Sequence, residues 1–162
     1  MSNQPYAHIQ AHATTAAPVD DAWHLLTDWP VQSRWIPFTK VTNDNATRGA
    51  GARFTARTGI GPLGFDDSME LTAWNPPIGQ GSGHCHIRKT GRWIRGTATI
   101  QIAATSGTTS PTTIVWTEDV RIAGVSAAFN SILCALGGIL FRRALRLAVR
   151  ELDEISRGSS RF

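Results

Sequence analysis

From Phe38 to Val120 the chain shows no helical period of any length, and from Gly124 to about Ser156 it shows a helical period almost without interruption. The first stretch divides into segments at roughly 38–44, 51–58, 64–74, 81–89, 92–104 and 112–122, parted by the turn signals NDNATRGAG, GIGP, NPPIG, TG and SGTTSP. A seventh strand comes earlier, over Ala7 to Thr15, where Ile9, Ala11 and Ala13 alternate with His8, Gln10 and His12. Seven short strands followed by one long helix describe an α+β chain, a sheet with a helix to cover it.

Two short helices are expected between the first strand and the rest. In APVDDAWHLLTDW, Val19, Ala22, Trp23 and Leu26 fall on one helical face, after Pro18 and with Asp20 and Asp21 in the first turn. Pro30 closes that helix, and PVQSRWIP reads as a second helical turn that presents Trp35. On the C-terminal helix Phe129, Leu133, Leu136, Leu140, Leu147 and Ile155 form the expected apolar stripe, with arginines opposite. Gly137 and Gly138 each cost ~1 kcal/mol against alanine in a helix. They mark either a bend or a close approach to the sheet.

A chain of 162 residues, 41% hydrophobic and 17% charged, is expected to form one domain over residues 1–162 with a core from about 6 to 157. The net charge of +4 is concentrated at Arg142, Arg143, Arg146 and Arg150. No nucleic-acid motif accompanies it, so a solvated helix face is expected and nucleic acid is not. Cys85 and Cys134 match no zinc or CxxC spacing and read as reduced buried thiols. MSNQPYAHIQ carries no secretory pattern, and ILCALGGILF is about half of the ~20 residues a membrane span needs. A cytoplasmic protein without a transmembrane segment is expected, as monomer or homodimer.

The TG turn pairs Lys89 with Arg92, Ile87 with Ile94 and Cys85 with Gly96; the NPPIG turn brings Met69 near Cys85 and Asp67 near Ile87. The SGTTSP turn sets Ile102 opposite Ile114, Ile100 opposite Trp116 and Ala98 opposite Glu118. One face then collects Phe65, Asp67, Met69, Leu71, Cys85, Ile87, Lys89, Ile94, Gly96, Ala98, Ile100, Ile114, Trp116, Glu118 and Val120. Gly83, Ala98, Gly96 and Cys85 near Glu118 are too small to fill an interior packed to crystal-like density. An inward carboxylate there faces either a ligand cavity or a structural network with Lys89, Asp67, Arg95 or the helix arginines.

TTAAPVDDAWHLLTDWPVQSRWIPF, DSMELTAWNPP, KTGRWIRGTATIQI and IVWTEDV, followed by the last helix, stand in an order that resembles the SRPBCC superfamily of START, Bet v 1-like and polyketide cyclase/dehydrase and lipid-transport proteins. The resemblance spans nearly the whole chain. It implies a helix-grip fold, in which a curved seven-stranded antiparallel sheet wraps the long C-terminal helix, and a pocket for a hydrophobic or amphipathic small molecule such as a lipid, polyketide or aromatic compound. Where members of that superfamily often carry histidine before TGR, this chain has Lys89. Trp23, Trp35 and Phe54 are further aromatic candidates for enclosing the pocket.

The candidate ligand-binding set is Trp35, Phe54, Asp67, Met69, Cys85, Ile87, Lys89, Ile94, Ala98, Ile100, Trp116, Glu118, Phe129, Leu133 and Leu136. No nucleophile elbow, HExxH or phosphate loop occurs. In GHCHI, His84 and His86 point away from Cys85 on a strand, so no metal is expected, nor any cofactor. The expected function is binding or carrying a small apolar ligand. Two alternatives remain: a cyclase or dehydratase with Glu118 and Asp67 as acid–base candidates, and an interaction or membrane-surface module using the basic helix.

Overall fold

The computed structural model describes residues 7–79, 81–105, 111–124 and 127–159, with the side chains of 127–134 and 159 outside that description. Seven strands, β1 (Ala7–Thr15), β2 (Thr39–Asn43), β3 (Arg53–Ile60), β4 (Leu63–Asn75), β5 (Ser82–Lys89), β6 (Ile94–Ala104) and β7 (Thr112–Ile122), form one sheet. Their order is β1-β7-β6-β5-β4-β3-β2, with every neighbouring pair antiparallel. Helix α1 (Val19–Leu26) and a 3-10 helix (Trp29–Arg34) follow β1, and α2 (Ala127–Ser159) ends the chain. This is the helix-grip arrangement, a curved antiparallel sheet holding a C-terminal helix.

The core is built from the apolar faces that the sequence periods select. Val19, Ala22, Trp23 and Leu26 are all buried on α1, and Trp23 packs on Trp74 with ring centroids 4.8 Å apart. Trp29 stacks flat on Phe54 at 4.3 Å, which fixes the 3-10 helix over β3. That helix is also tied to α2: Arg34 and the Trp35 indole N–H both donate to the Glu151 carboxylate, the indole at 2.9 Å.

The β6–β7 register is as expected, with Ile102 opposite Ile114, Ile100 opposite Trp116 and Ala98 opposite Glu118. The other two expected registers are wrong. Lys89 pairs with Gly96, Ile87 with Ala98 and Cys85 with Ile100, because Thr90 to Trp93 loop out instead of forming a two-residue turn. Thr90 N–H donates to Ser68 O at 2.7 Å, drawing the turn back onto β4. This register also avoids setting Lys89 directly opposite Arg92, a like-charge pair. On the other side Met69 faces Lys89 and Leu71 faces Ile87, with a bulge between Leu71 and Ala73.

The helix stripe is also corrected. Among the described helix positions Gly138, Ala144, Leu145, Ala148 and Leu152 are buried, whereas Leu136 and Ile155 are exposed. The expected stripe followed large residues alone, while the buried line alternates small and large ones, Ala144 and Ala148 beside Leu145 and Leu152. A Cβ on Gly137 would stand 2.6 Å from Ile9 Cδ1 on β1, so close approach of helix to sheet accounts for that glycine. Arg142, Arg143, Arg146 and Arg150 are exposed, as expected of a solvated face. Phe129 and Leu133 lie outside the described side chains.

Candidate functional site

Between the sheet and α2 lies a cavity of about 310 Å³, at the lower end of the range typical of small-molecule sites. The central strands supply Ile87, Lys89, Ile94, Ala98, Trp116, Glu118, Val120 and Ile122, and β1 supplies Ala7 and Ile9. Phe54, Ala56, Thr58, Phe65, Asp67 and Met69 come from β3 and β4. Gln32, Ile36, Thr39 and Val41 close one side, and Leu136, Gly137, Leu140 and Phe141 of α2 form the cover. The lining is mainly apolar.

Ten of the fifteen candidate positions therefore line the cavity: Phe54, Asp67, Met69, Ile87, Lys89, Ile94, Ala98, Trp116, Glu118 and Leu136. Three do not. Trp35 is held against Glu151, and Cys85 and Ile100 are fully buried in the packed core. Burial pushes the Cys85 thiol up to about 12 despite a backbone hydrogen bond from Ile100, which keeps it protonated and unreactive. Trp23 also belongs to the core and not to the cavity wall. Gln32, Ile36, Thr39, Val41, Leu140 and Phe141 were missed as lining, although Leu140 stood in the expected stripe. A spacing pattern gives the inward side of each element but not which elements meet around a space.

Three charged side chains meet at the cavity wall. Lys89 Nζ donates to Asp67 Oδ2 at 2.6 Å and lies 3.4 Å from Glu118 Oε2. All three are buried, and the ammonium is also 3.8 Å from the Met69 sulfur. The meeting follows from the register: Lys89 faces Gly96, which has no side chain, so the lysine can reach Glu118 on β7 and Asp67 on β4. Gly83 and Cys85 are not the neighbours of Ala98; Ile87 is. Arg95 pairs with Arg121 on the opposite face and is exposed, so it does not join the cluster.

One ammonium serves two carboxylates. Burial raises the Glu118 pKa; Lys89 opposes the shift, Asp67 adds to it, and the nearby Trp116 indole opposes it slightly. That indole N–H makes no hydrogen bond of normal geometry, and Asp67 Oδ1 is likewise buried without a partner. For Lys89, burial alone would lower the pKa, but Glu118 and Asp67 outweigh it and the net shift is upward.

These directions set a pH dependence. A folded Glu118 holds its proton above the ordinary value of 4.5, where the unfolded chain has released it, so stability falls as pH rises from about there to the raised value. Lys89 acts at the other end: its contribution is full below 10.5 and is lost as pH climbs through its raised folded value. In urea titrations from pH 4.5 to 8, the Glu118→Gln variant should lose the part of the downward slope that wild type owes to this carboxyl. Identical slopes in the two proteins would contradict the assignment.

His84 and His86 lie on the exposed side of β5, hydrogen-bonded to Asn75 and Thr99. Among the described residues no three His, Cys, Asp or Glu side chains gather as a metal site.

Residues 6–153 match the family described as polyketide cyclase / dehydrase and lipid transport. The chain belongs to that family. No curated protein matches it. Among solved structures with the same fold is XoxI from Bacillus cereus, 12% identical, with a TM-score of 0.67 over 93% of this chain and 98% of that one. The human StarD13 lipid transfer and protein localization domain is 10% identical, with a TM-score of 0.65 over 83% of this chain and 73% of that one. The Zhui aromatase/cyclase from Streptomyces sp. R1128 is 15% identical, with a TM-score of 0.61 over 96% of each chain. At such identities the likeness is one of fold, and this member of the family is read from its own residues. No helix among the described residues is long and apolar enough to cross a membrane.

Proposed function

We propose that this polyketide cyclase / dehydrase and lipid transport family member binds a small hydrophobic or amphipathic molecule between its sheet and α2. The observation that supports this most directly is a mainly apolar cavity of about 310 Å³ with Asp67, Lys89 and Glu118 converging at its wall. Apolar walls contribute affinity through the area they remove from water, and a few convergent polar groups fix orientation. Phe54 and Trp116 supply flat apolar surface, and Phe141 packs edge-on against Trp116 at 5.3 Å.

The second reading, a cyclase or dehydratase, is favoured by one observation. Glu118 is a buried carboxyl at the cavity wall, 3.4 Å from the Lys89 ammonium and with its pKa raised by burial, the kind of environment in which acid–base groups are found. Both readings put a ligand in the same cavity, and one experiment serves both. The protein is kept native in the mass spectrometer, its bound mass is recorded, and the ligand is extracted and identified; apolar candidates are then added back while intrinsic tryptophan fluorescence is followed. One defined mass per chain, returned unchanged after incubation, supports a carrier. Conversion of the added compound, lost in Glu118→Gln, supports the enzyme. Absence of both a bound mass and any fluorescence response to apolar compounds would overturn the ligand reading.

A further inference from the structure

We propose that Asp67, Lys89 and Glu118 select ligands whose polar group is a neutral oxygen, a hydroxyl or a carbonyl, and discriminate against carboxylates. This rests on the ligand-binding reading and adds the chemistry of the polar end.

The charge count comes first. Two carboxylates face a single ammonium, the three side chains being 5% to 11% exposed, and among the described residues Lys89 is the only cation in the cavity lining. A ligand carboxylate would be a third anion competing for one cation in a medium that screens poorly, and it would have to leave water to do so. A neutral oxygen carries no such penalty.

Hydrogen-bond capacity gives the positive half. An ammonium has three N–H donors. One is directed to Asp67 Oδ2 at 2.6 Å, one approaches Glu118 Oε2 at 3.4 Å, and the remaining partner is the Met69 sulfur at 3.8 Å. A thioether is a weak acceptor. A ligand hydroxyl or carbonyl oxygen beside Met69 would give that donor a better partner. A hydroxyl would also bring a donor to a carboxylate pair in which Asp67 Oδ1 has no partner. The remainder of the lining, Ile87, Ile94, Ala98, Trp116 and Val120 among it, suits the apolar part of the same molecule.

Ten-carbon probes differing only at the head test this: 1-decanol, 2-decanone, decanoate and decylamine, titrated against the full chain at pH 8 by calorimetry and intrinsic tryptophan fluorescence, with decane as the headless reference. Decanol and decanone should bind at least tenfold tighter than decanoate. In Glu118→Gln, which removes one of the two competing anions, the affinity of decanoate relative to decanol should rise several-fold. Equal binding of decanol and decanoate would overturn the selection while leaving the cavity reading intact. Decylamine binding tightest of all would overturn it in favour of a cation site. Failure of all five, decane included, would overturn the ligand reading and this inference with it.

Discussion

Replacing Lys89 with methionine should cost the folded state about 3–5 kcal/mol near pH 7.5, the usual result of removing one partner from a buried ion pair. The side chain lies between Asp67 and Glu118 with its ammonium 2.6 and 3.4 Å from their oxygens. Methionine keeps the length and apolar stem but leaves two buried carboxylates with no cation among the described lining residues. Burial already raises the Glu118 pKa and the variant removes the lysine that opposes that shift, so Glu118 takes up a proton more readily and the loss should shrink at pH 5. Adding Asp67→Asn and Glu118→Gln to the lysine change should recover most of the stability at pH 7.5, since no charge then remains to be paired. Urea denaturation of the three proteins at both pH values measures all of this. A loss under about 1 kcal/mol with no pH dependence would mean that water already screens the cluster as it does an exposed pair.

That cluster was partly legible in the sequence. Ile114, Trp116, Glu118 and Val120 are all buried, as their alternation predicts, and the β6–β7 register was readable because it sets long apolar runs opposite one another. The two misread registers were each displaced by four residues. An even displacement keeps every side chain on its own face, so Asp67 and Lys89 were placed inward even though their neighbours were wrong. What the alternation could not supply was depth. Cys85 and Ile100 point inward into packed core, while Ala98 on the same face opens onto space. Depth depends on what descends onto the sheet, here α2, whose buried line includes Gly138, Ala144 and Ala148, small residues that register weakly in a hydrophobic pattern, beside Leu145 and Leu152.

The same geometry makes Gly96 the most sensitive backbone position near the site, and Gly96→Ala should destabilise the protein by more than ~3 kcal/mol, through strain of about 1–3 kcal/mol in a sparsely populated conformation plus a direct clash. Its φ is +142°, and a Cβ built there would stand 1.8 Å from the carbonyl oxygen of Asp119 and 3.0 Å from Val120 Cα. Both obstacles are backbone of β7, so relief requires opening the β6–β7 ladder where Ala98 and Glu118 pair. Gly61 provides the comparison. It also has a positive φ, +58°, but nothing lies within 4 Å of an added Cβ, so Gly61→Ala should cost only about 1 kcal/mol. Thermal unfolding of the two variants separates clash from conformational preference; equal losses would show that β7 yields freely to a side chain at 96. Gly96 faces Lys89 on β5 and Val120 on β7 together, so movement there also displaces the lysine from Glu118. Below its lowered melting temperature, the alanine variant should therefore discriminate less between decanol and decanoate, a change that loss of stability alone would not produce.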